Sequence, residues 1–340
     1  MTTVLDSLNQ ALHRTFARDE RVYLLGEDIL DPYGGAFKVS RGLSTAYPDR
    51  VLTTPISEAG ITGLATGMAL RGLRPVVEIM FGDFITLIAD QLVNHATKFR
   101  WMYNDQVRVP LVIRTPMGGR RGYGPTHSQT IEKLYLGVPG LRILAPCAVG
   151  DPGLLLENAI LLGDDPVLFV ENKLLYLTDI INEGSQSEFS LNPLPPDPSP
   201  LFPGDAPAYS LSIKGAPPAA LSIAAYGYMA EIARQAALKL AYEREIFVEL
   251  IVPTQLVPFQ GHDLLESAAQ TGALLVVEEG TLTAGWGAEI VARATEALGT
   301  SLRCVRRLAA LDLPVPSSAP LEDAVLPGVE QIIQIAEEMV

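Results

Sequence analysis

At 340 residues, 48% hydrophobic and 19% charged, the chain has an ordinary globular composition with core material for two domains. Its net charge of −14 argues against nucleic acid and anionic membrane surfaces as partners. Cys147 and Cys304 are the only cysteines, no apolar run reaches the roughly 18 residues of a membrane span, and the N-terminus lacks a basic patch before an apolar stretch, so a cytoplasmic protein without disulfides is expected.

Val4, Leu5, Leu8, Ala11, Leu12 and Phe16 recur at helical spacing and predict an amphipathic first helix. Residues 22–25 read as a buried strand ending in Gly26-Glu27-Asp28, and acidic residues at the C-terminal end of a parallel strand sit where α/β proteins place ligands. After a loop with Pro32, Gly34 and Gly35, a second strand at 51–53 feeds Thr54-Pro55-Ile56-Ser57-Glu58. There Ser57 is placed to cap a helix that opens on a carboxylate. That helix carries Gly60, Gly63 and Gly67 on or near one face. Each glycine costs about 1 kcal/mol against alanine, which points either to tight packing on the sheet or to another backbone or ligand coming close.

A strand at 75–79 precedes Phe81-Gly82-Asp83-Phe84 and a long helix expected over 85–103. The two phenylalanines read more readily as core than as a stacking platform. A strand at 111–114 runs into a loop with glycines at 118, 119, 122 and 124, followed by Thr126-His127-Ser128-Gln129. Strands at 141–144 and 167–170 flank a helix near 151–162. Between Leu174 and Ile213 there is no Lys or Arg, and seven prolines fall from Pro193 to Pro207, a composition that reads as a linker. Beyond it come a strand at 221–224, a helix near 228–243, strands at 246–252, 273–278 and 302–306 with helices near 262–271 and 286–298, and a proline-broken tail before a last helix from about 328. The alternation predicts two doubly wound α/β domains, residues 1–178 and 216–340, joined by a linker over 179–215.

No P-loop, dinucleotide fingerprint, zinc spacing or nucleophile elbow is present. Of the four histidines, His127 alone lies in a glycine-rich loop after a strand, where catalytic groups are often held, although loop histidines are usually solvated. Glu58 on pattern alone is most simply a solvated carboxylate at a helix start.

An ordered set of motifs carries more. Leu24-Leu25-Gly26-Glu27-Asp28, Gly34-Gly35-Ala36-Phe37, Thr54-Pro55-Ile56-Ser57-Glu58-Ala59-Gly60, Gly72-Leu73-Arg74-Pro75, His127-Ser128-Gln129, Pro139-Gly140-Leu141, Glu278-Glu279-Gly280 and Gly285-Trp286-Gly287 follow one another from about residue 4 to 335. In this order the chain resembles the beta subunit of the thiamine-diphosphate-dependent decarboxylating component of 2-oxoacid dehydrogenase complexes, of pyruvate, branched-chain or acetoin type. The resemblance implies a pyrimidine-binding transketolase-like domain and a transketolase C-terminal-like domain in an α2β2 heterotetramer.

It further implies that Glu58 hydrogen-bonds the cofactor's aminopyrimidine nitrogen and promotes proton removal from the thiazolium carbon, that Phe84 stacks on that ring, and that His127 faces the substrate and the incoming lipoyl group of an acyltransferase component. Glu27, at the cofactor end of its strand, is a further assignment. Diphosphate and magnesium would fall to the alpha subunit, whose binding motif is absent here, which makes the partner obligatory and turns the Gly60, Gly63 and Gly67 face into a predicted contact surface. A structural potassium ion held in some relatives maps near Ile160, Leu161, Asp164 and Asp165, with a spacing that differs by a residue or two. The pyruvate type is the leading expectation. A stand-alone transketolase-like enzyme is disfavoured by the missing diphosphate half, and a non-catalytic assembly protein of the same fold is the alternative of another class.

Overall fold

Two sheets organise the chain in a computed structural model that describes residues 2–182, 187–195, 206–259 and 261–340. The strands are β1 (Val22–Gly26), β2 (Val51–Thr53), β3 (Arg74–Glu78), β4 (Val112–Met117), β5 (Arg142–Leu144), β6 (Val167–Asn172), β7 (Phe189–Leu194), β8 (Ala208–Ile213), β9 (Leu221–Ala225), β10 (Val248–Val252), β11 (Gln255–Val257), β12 (Ala273–Thr281) and β13 (Cys304–Ala310). The first sheet runs β11-β5-β6-β4-β3-β1-β2 and is parallel except for β11. The second runs β13-β12-β9-β10-β8-β7, parallel from β13 to β10 and antiparallel at β8 and β7.

Burial on both faces explains why the first five residues of β12, from Ala273 to Val277, read as a continuous apolar run rather than an alternating one. The helix Val4–Arg18 starts with a reciprocal Thr3–Asp6 capping box and buries Val4, Leu8, Leu12 and Phe16. Helix Glu58–Leu70 buries Ile61, Thr62, Ala65, Thr66 and Ala69 and leaves Gly60, Gly63, Leu64 and Gly67 exposed.

Four expectations change. Ser57 occupies the N-cap position, but its hydroxyl makes no capping hydrogen bond. The helix expected over 85–103 is a 3-10 segment Gly82–Ile88, a π-helical turn Gln91–Ala96 and an α-helical stretch Thr97–Met102. Thr97 Oγ1 accompanies the widening by donating to Val93 O at 2.9 Å, a side chain competing locally for backbone.

The segment read as a linker contributes β7 and β8, paired from Phe189 with Ile213 to Leu194 with Ala208. Pro193 is tolerated there because β7 is the edge strand of its sheet. Residues 183–186 and 196–205, which hold most of the proline run, lie outside the described residues. Finally, β11 leaves the second half of the chain to pair with β5 of the first sheet, and the proline-broken tail holds a helix, Ala319–Val325, with Pro320 in its first turn. Proline is compatible with a first helical turn, so it marks a start here rather than a break.

Candidate active site

The C-terminal ends of β1, β2, β3, β4 and β6 converge on one edge of the first sheet, the edge at which parallel α/β proteins bind ligands. Glu27 follows β1 directly, and Glu58 opens the helix after β2, with Thr54 N donating to Gly26 O at 3.0 Å to hold the two connections together. Glu58 is only 6% exposed, and its carboxylate makes no hydrogen bond or ion pair among the described residues. Burial, followed by the nearby negative charge of Glu58, pushes the Glu27 carboxyl above its ordinary range. Glu27 Oε1 is buried without a hydrogen-bond partner, as is Gln91 Oε1 on the π-helical turn. Orphaned buried acceptors of this kind call for a donor that the chain itself does not supply.

Phe81 and Phe84 stand three residues apart across the start of the 3-10 segment, a spacing that eclipses side chains on one side. Both meet His127: ring centroids lie 4.5 Å apart for Phe81 and 5.4 Å apart, edge to face, for Phe84. Tyr123 and Phe37 pack edge-on against Phe81 at 6.0 and 5.8 Å. The expectation of two ordinary core residues therefore gives way to a half-buried aromatic cluster around the histidine.

His127 is held from below. Lys173, fully buried just past the end of β6, donates its ammonium to the His127 carbonyl and lies 5.5 Å from the Phe81 centroid and 5.4 Å from that of Tyr123. Burial pushes the Lys173 ammonium down to about 8, against the favourable field of Asp83 and Glu279. The glycine-rich loop is clamped by the second half of the chain: Gly119 N donates to Glu279 Oε1 at 2.6 Å, and Arg120 N and Gly122 N donate to the Glu322 carboxylate at 2.6 and 3.2 Å. Asn172 Nδ2 reaches the other Glu279 oxygen at 3.0 Å. Gly118 has φ +97°, and a Cβ there would collide with the Asn172 amide, so the turn requires glycine.

Under this edge Arg114 is fully buried between two carboxylates, with Nε and Nη2 each 2.8 Å from Glu171 and Nη1 2.8 Å from Glu78. This fork ties β4 to β6 and β3, and Tyr176 Oη adds a bond of 2.6 Å to Glu171. A second acidic group lies between the two halves of the molecule. Tyr226 Oη donates to Glu132, while Glu278 accepts from Gly287 N at 2.9 Å. Burial pushes the Glu278 carboxyl up to about 7. An open groove of about 1710 Å³, lined by Thr97, Trp101, Val138, Phe259, Trp286 and Arg293, includes Asp165 but none of Glu27, Glu58, Phe84 and His127.

The structure thus brings Glu27 to Glu58 and Phe84 to His127 on one edge. Lys173 and Glu322 escaped the sequence reading, and Glu279 entered it only within a family motif, without a role. For Lys173 a signal existed, since a lysine directly after a strand that opens on an apolar run is placed like Glu27. Glu279 and Glu322 act across 160 and more residues, and no local pattern reports that.

The residues singled out for potassium lie elsewhere, in the turn between helix Pro152–Leu161 and β6. There Arg74 Nη1 donates to both Ile160 O and Gly163 O at 2.8 Å. Asp164 is flanked by Arg74 at 3.6 Å and Arg108 at 3.7 Å, and Asp165 pairs with Arg100 at 2.6 Å. These donors do not fit an added cation.

Residues 1–178 match the family described as "Transketolase, pyrimidine binding domain", and residues 217–332 match "Transketolase, C-terminal domain". A pyruvate dehydrogenase E1 component subunit beta-1 of Arabidopsis thaliana, named mitochondrial, is 37% identical across 98% of this chain and 88% of its own length. The corresponding subunit beta of Rickettsia bellii is 33% identical across 99% of this chain and 98% of its own. The chain belongs to the pyruvate dehydrogenase E1 beta family. A solved structure titled "Split gene transketolase, inactive beta4 tetramer" shares the E1 beta fold at TM-score 0.73 and 18% identity, covering 100% of this chain and 98% of that one. Among the described residues no helix is long and apolar enough to cross a membrane.

Proposed function

We propose that the chain is the beta subunit of a thiamine-diphosphate-dependent 2-oxoacid dehydrogenase of the pyruvate type, active only when an alpha subunit completes the site in an α2β2 tetramer. The relatives' names support the reaction class. The observation that carries the site is Glu58: a residue 6% exposed whose carboxylate has no hydrogen-bond partner among the described residues, at the sheet edge where ligands bind. A flat ring carrying hydrogen-bond donors fits this edge of the sheet, where Phe84 offers a ring face and Glu27 Oε1 and Gln91 Oε1 are buried without a hydrogen-bond partner.

Thiamine diphosphate, when bound, supplies the electron sink that decarboxylation of a 2-oxoacid needs. Glu58 would hold and return a proton at the pyrimidine nitrogen, and Phe84 would fix the plane of the ring. His127, braced by Phe81 and by Lys173 through its carbonyl, would face the substrate and the lipoyl acceptor of an acyltransferase partner. Diphosphate and magnesium are assigned to the alpha subunit because this chain lacks a glycine-rich phosphate cradle. The exposed Gly60, Gly63 and Gly67 face is assigned to a contact with another subunit, in keeping with no other described part of the chain, its own helix backbone apart, standing within 4 Å of a Cβ at Gly67.

The first domain is assigned to 1–178 and the second to the block from 216, consistent with the two family matches. A cytoplasmic location is part of the proposal, in line with two free cysteines.

The chain paired with its alpha subunit, thiamine diphosphate and magnesium should decarboxylate pyruvate, and Glu58→Ala should lower kcat by about 10²- to 10⁴-fold. Full activity in that variant would overturn the role of Glu58, and failure of the wild-type pair to bind thiamine diphosphate would overturn the enzyme reading. A branched-chain 2-oxoacid assayed beside pyruvate decides the substrate type.

A further inference from the structure

Two carboxyls that the proposed reaction does not use lie buried where the halves of the chain meet. Glu132 opens the 3-10 segment Glu132–Tyr135, shortly after His127, and Glu278 stands on β12 next to Glu279. Tyr226, directly after β9, donates its hydroxyl to Glu132 and meets the Trp286 ring edge to face, with centroids 5.0 Å apart. Trp286 opens the helix whose Gly287 N donates to Glu278 Oε1 at 2.9 Å. The halves are in close contact here, since a Cβ on Gly280 would stand 3.3 Å from Thr130 O. Glu132 Oε2, Glu278 Oε2 and Trp286 Nε1 are all buried without a hydrogen-bond partner.

The charged and titratable groups that act on the pair are Lys133, Tyr226, Glu279 and Arg307. Both cations donate elsewhere: Lys133 Nζ to Thr281 O at 3.1 Å and Thr283 O at 2.6 Å, and Arg307 Nη1 to Leu282 O at 3.0 Å. Two buried carboxyls without a cation in contact are destabilising when both are ionised. The Tyr226 hydroxyl favours the charged form of Glu132, which leaves the proton to Glu278.

We infer that the Glu132–Glu278 pair is a proton-held latch between the two halves of the chain, closed while one carboxyl of the pair keeps its proton, and that the loop carrying His127 loosens when that proton passes to solvent. The link to the loop is short on both sides. Glu132 follows His127-Ser128-Gln129 in the chain, and Glu279, which binds Gly119 N at 2.6 Å, is the neighbour of Glu278. Repulsion between the ionised carboxyls therefore acts on both ends of the loop. Burial raises both carboxyls, Glu278 to about 7, so the closed form binds its proton more tightly than an open, hydrated one. The stabilisation is fully present below the ordinary value of 4.5 and is lost as pH rises through about 7. The latch is a property of this chain alone and does not depend on the reaction proposed above.

The two tryptophans make a selective test possible, because Trp101 is 89% exposed and Trp286 only 2%. In the full chain carrying Trp101→Phe, Trp286 is the sole indole, and its emission responds to ionisation of the carboxyls beside it. Titrated from pH 5 to 8.5, that emission should show one step with a midpoint near about 7. Adding Glu278→Gln should abolish the step, and adding Glu132→Gln instead should move it to lower pH, because a like charge is removed. Hydrogen exchange followed by mass spectrometry, corrected for the intrinsic rate, reads the loop itself. Protection over residues 118–135 should fall about tenfold or more from pH 5 to 7 in the wild type, and not in Glu278→Gln. Should Glu278→Gln give no folded protein, the Trp101→Phe and Trp101→Phe/Glu132→Gln profiles decide between a latch and none. A flat Trp286 profile, a step that survives Glu278→Gln, a midpoint unmoved by Glu132→Gln, or loop protection indifferent to pH would each overturn the inference.

Discussion

Two charged residues at the sheet edge are buried for opposite reasons. Glu58 has no partner among the described residues, which suits a group that receives a ligand. Lys173 has one, the carbonyl of His127, and two aromatic faces that tolerate its charge. Because the bond runs to the backbone of His127, Lys173 fixes where the imidazole starts from without touching what it meets. Lys173→Met should therefore lower kcat of the alpha-paired enzyme by about 10-fold or more through misplacement alone, with cofactor affinity unchanged. Steady-state kinetics beside a thiamine diphosphate titration separates the two, and a loss confined to cofactor binding would contradict the bracing role. Phe81 makes the same point about reading residues singly. Its type says core, whereas its contacts with Phe37, Phe84, Tyr123 and His127 make it the hub of the cluster.

The helix Glu58–Leu70 serves two faces. Ile61, Ala65 and Ala69 go into the core, while Gly60, Gly63 and Gly67 look outward beside exposed Leu64. Three glycines on an outer face weaken the isolated helix, and the use proposed for them is a contact with another subunit. Gly67→Ala should raise the unfolding temperature of the isolated chain by about 2 °C, since a Cβ there meets nothing within 4 Å and glycine costs about 1 kcal/mol in a helix. The same change should weaken assembly with the alpha subunit, measurable by analytical ultracentrifugation. A variant equally stable and equally well assembled would remove the glycines from the interface. The neighbouring 3-10 and π-helical turns belong to this scale as well. They bring Phe84 to His127 and leave Gln91 Oε1 without a partner, where a regular α-helix would have continued past both.

Across the whole molecule, the second half of the chain builds the first half's site. Glu279 on β12 and Glu322 in the tail hold the loop that carries His127, and β11 completes the first sheet. The buried contact between the halves includes Glu278, whose carboxyl keeps its proton to about pH 7 because of burial, with Glu132 adding to the effect, against an ordinary value of 4.5. A raised carboxyl binds its proton more tightly in the folded state, so its stabilising contribution is present below pH 4.5 and is lost as pH rises through about 7. Glu278→Gln mimics the protonated form and keeps an acceptor for Gly287 N. Its unfolding temperature should gain on the wild type between pH 5 and 8, while parallel curves would show that Glu278 does not titrate in that window.

Much of this was legible in the sequence because local chemistry reports it. Strand and helix alternation gave both α/β units, since burial on two faces demands apolar runs and helical periodicity survives in the helices between them. Glu27 and His127 stood out by their places after strands, whose ends share an edge in a parallel sheet, whereas Glu58 and Phe84 read on pattern alone as a solvated carboxylate and a core residue and were singled out by the family resemblance. The sequence could not decide which residues meet across the chain. That Lys173 lies beneath His127, that Glu322 reaches the loop at Gly122, that β7 and β8 are strands rather than linker, and that Arg74 takes carbonyls 86 and 89 residues away are consequences of packing. Such contacts have no local period. They exist because a buried polar group must find a partner, and only the folded chain determines which one lies within reach.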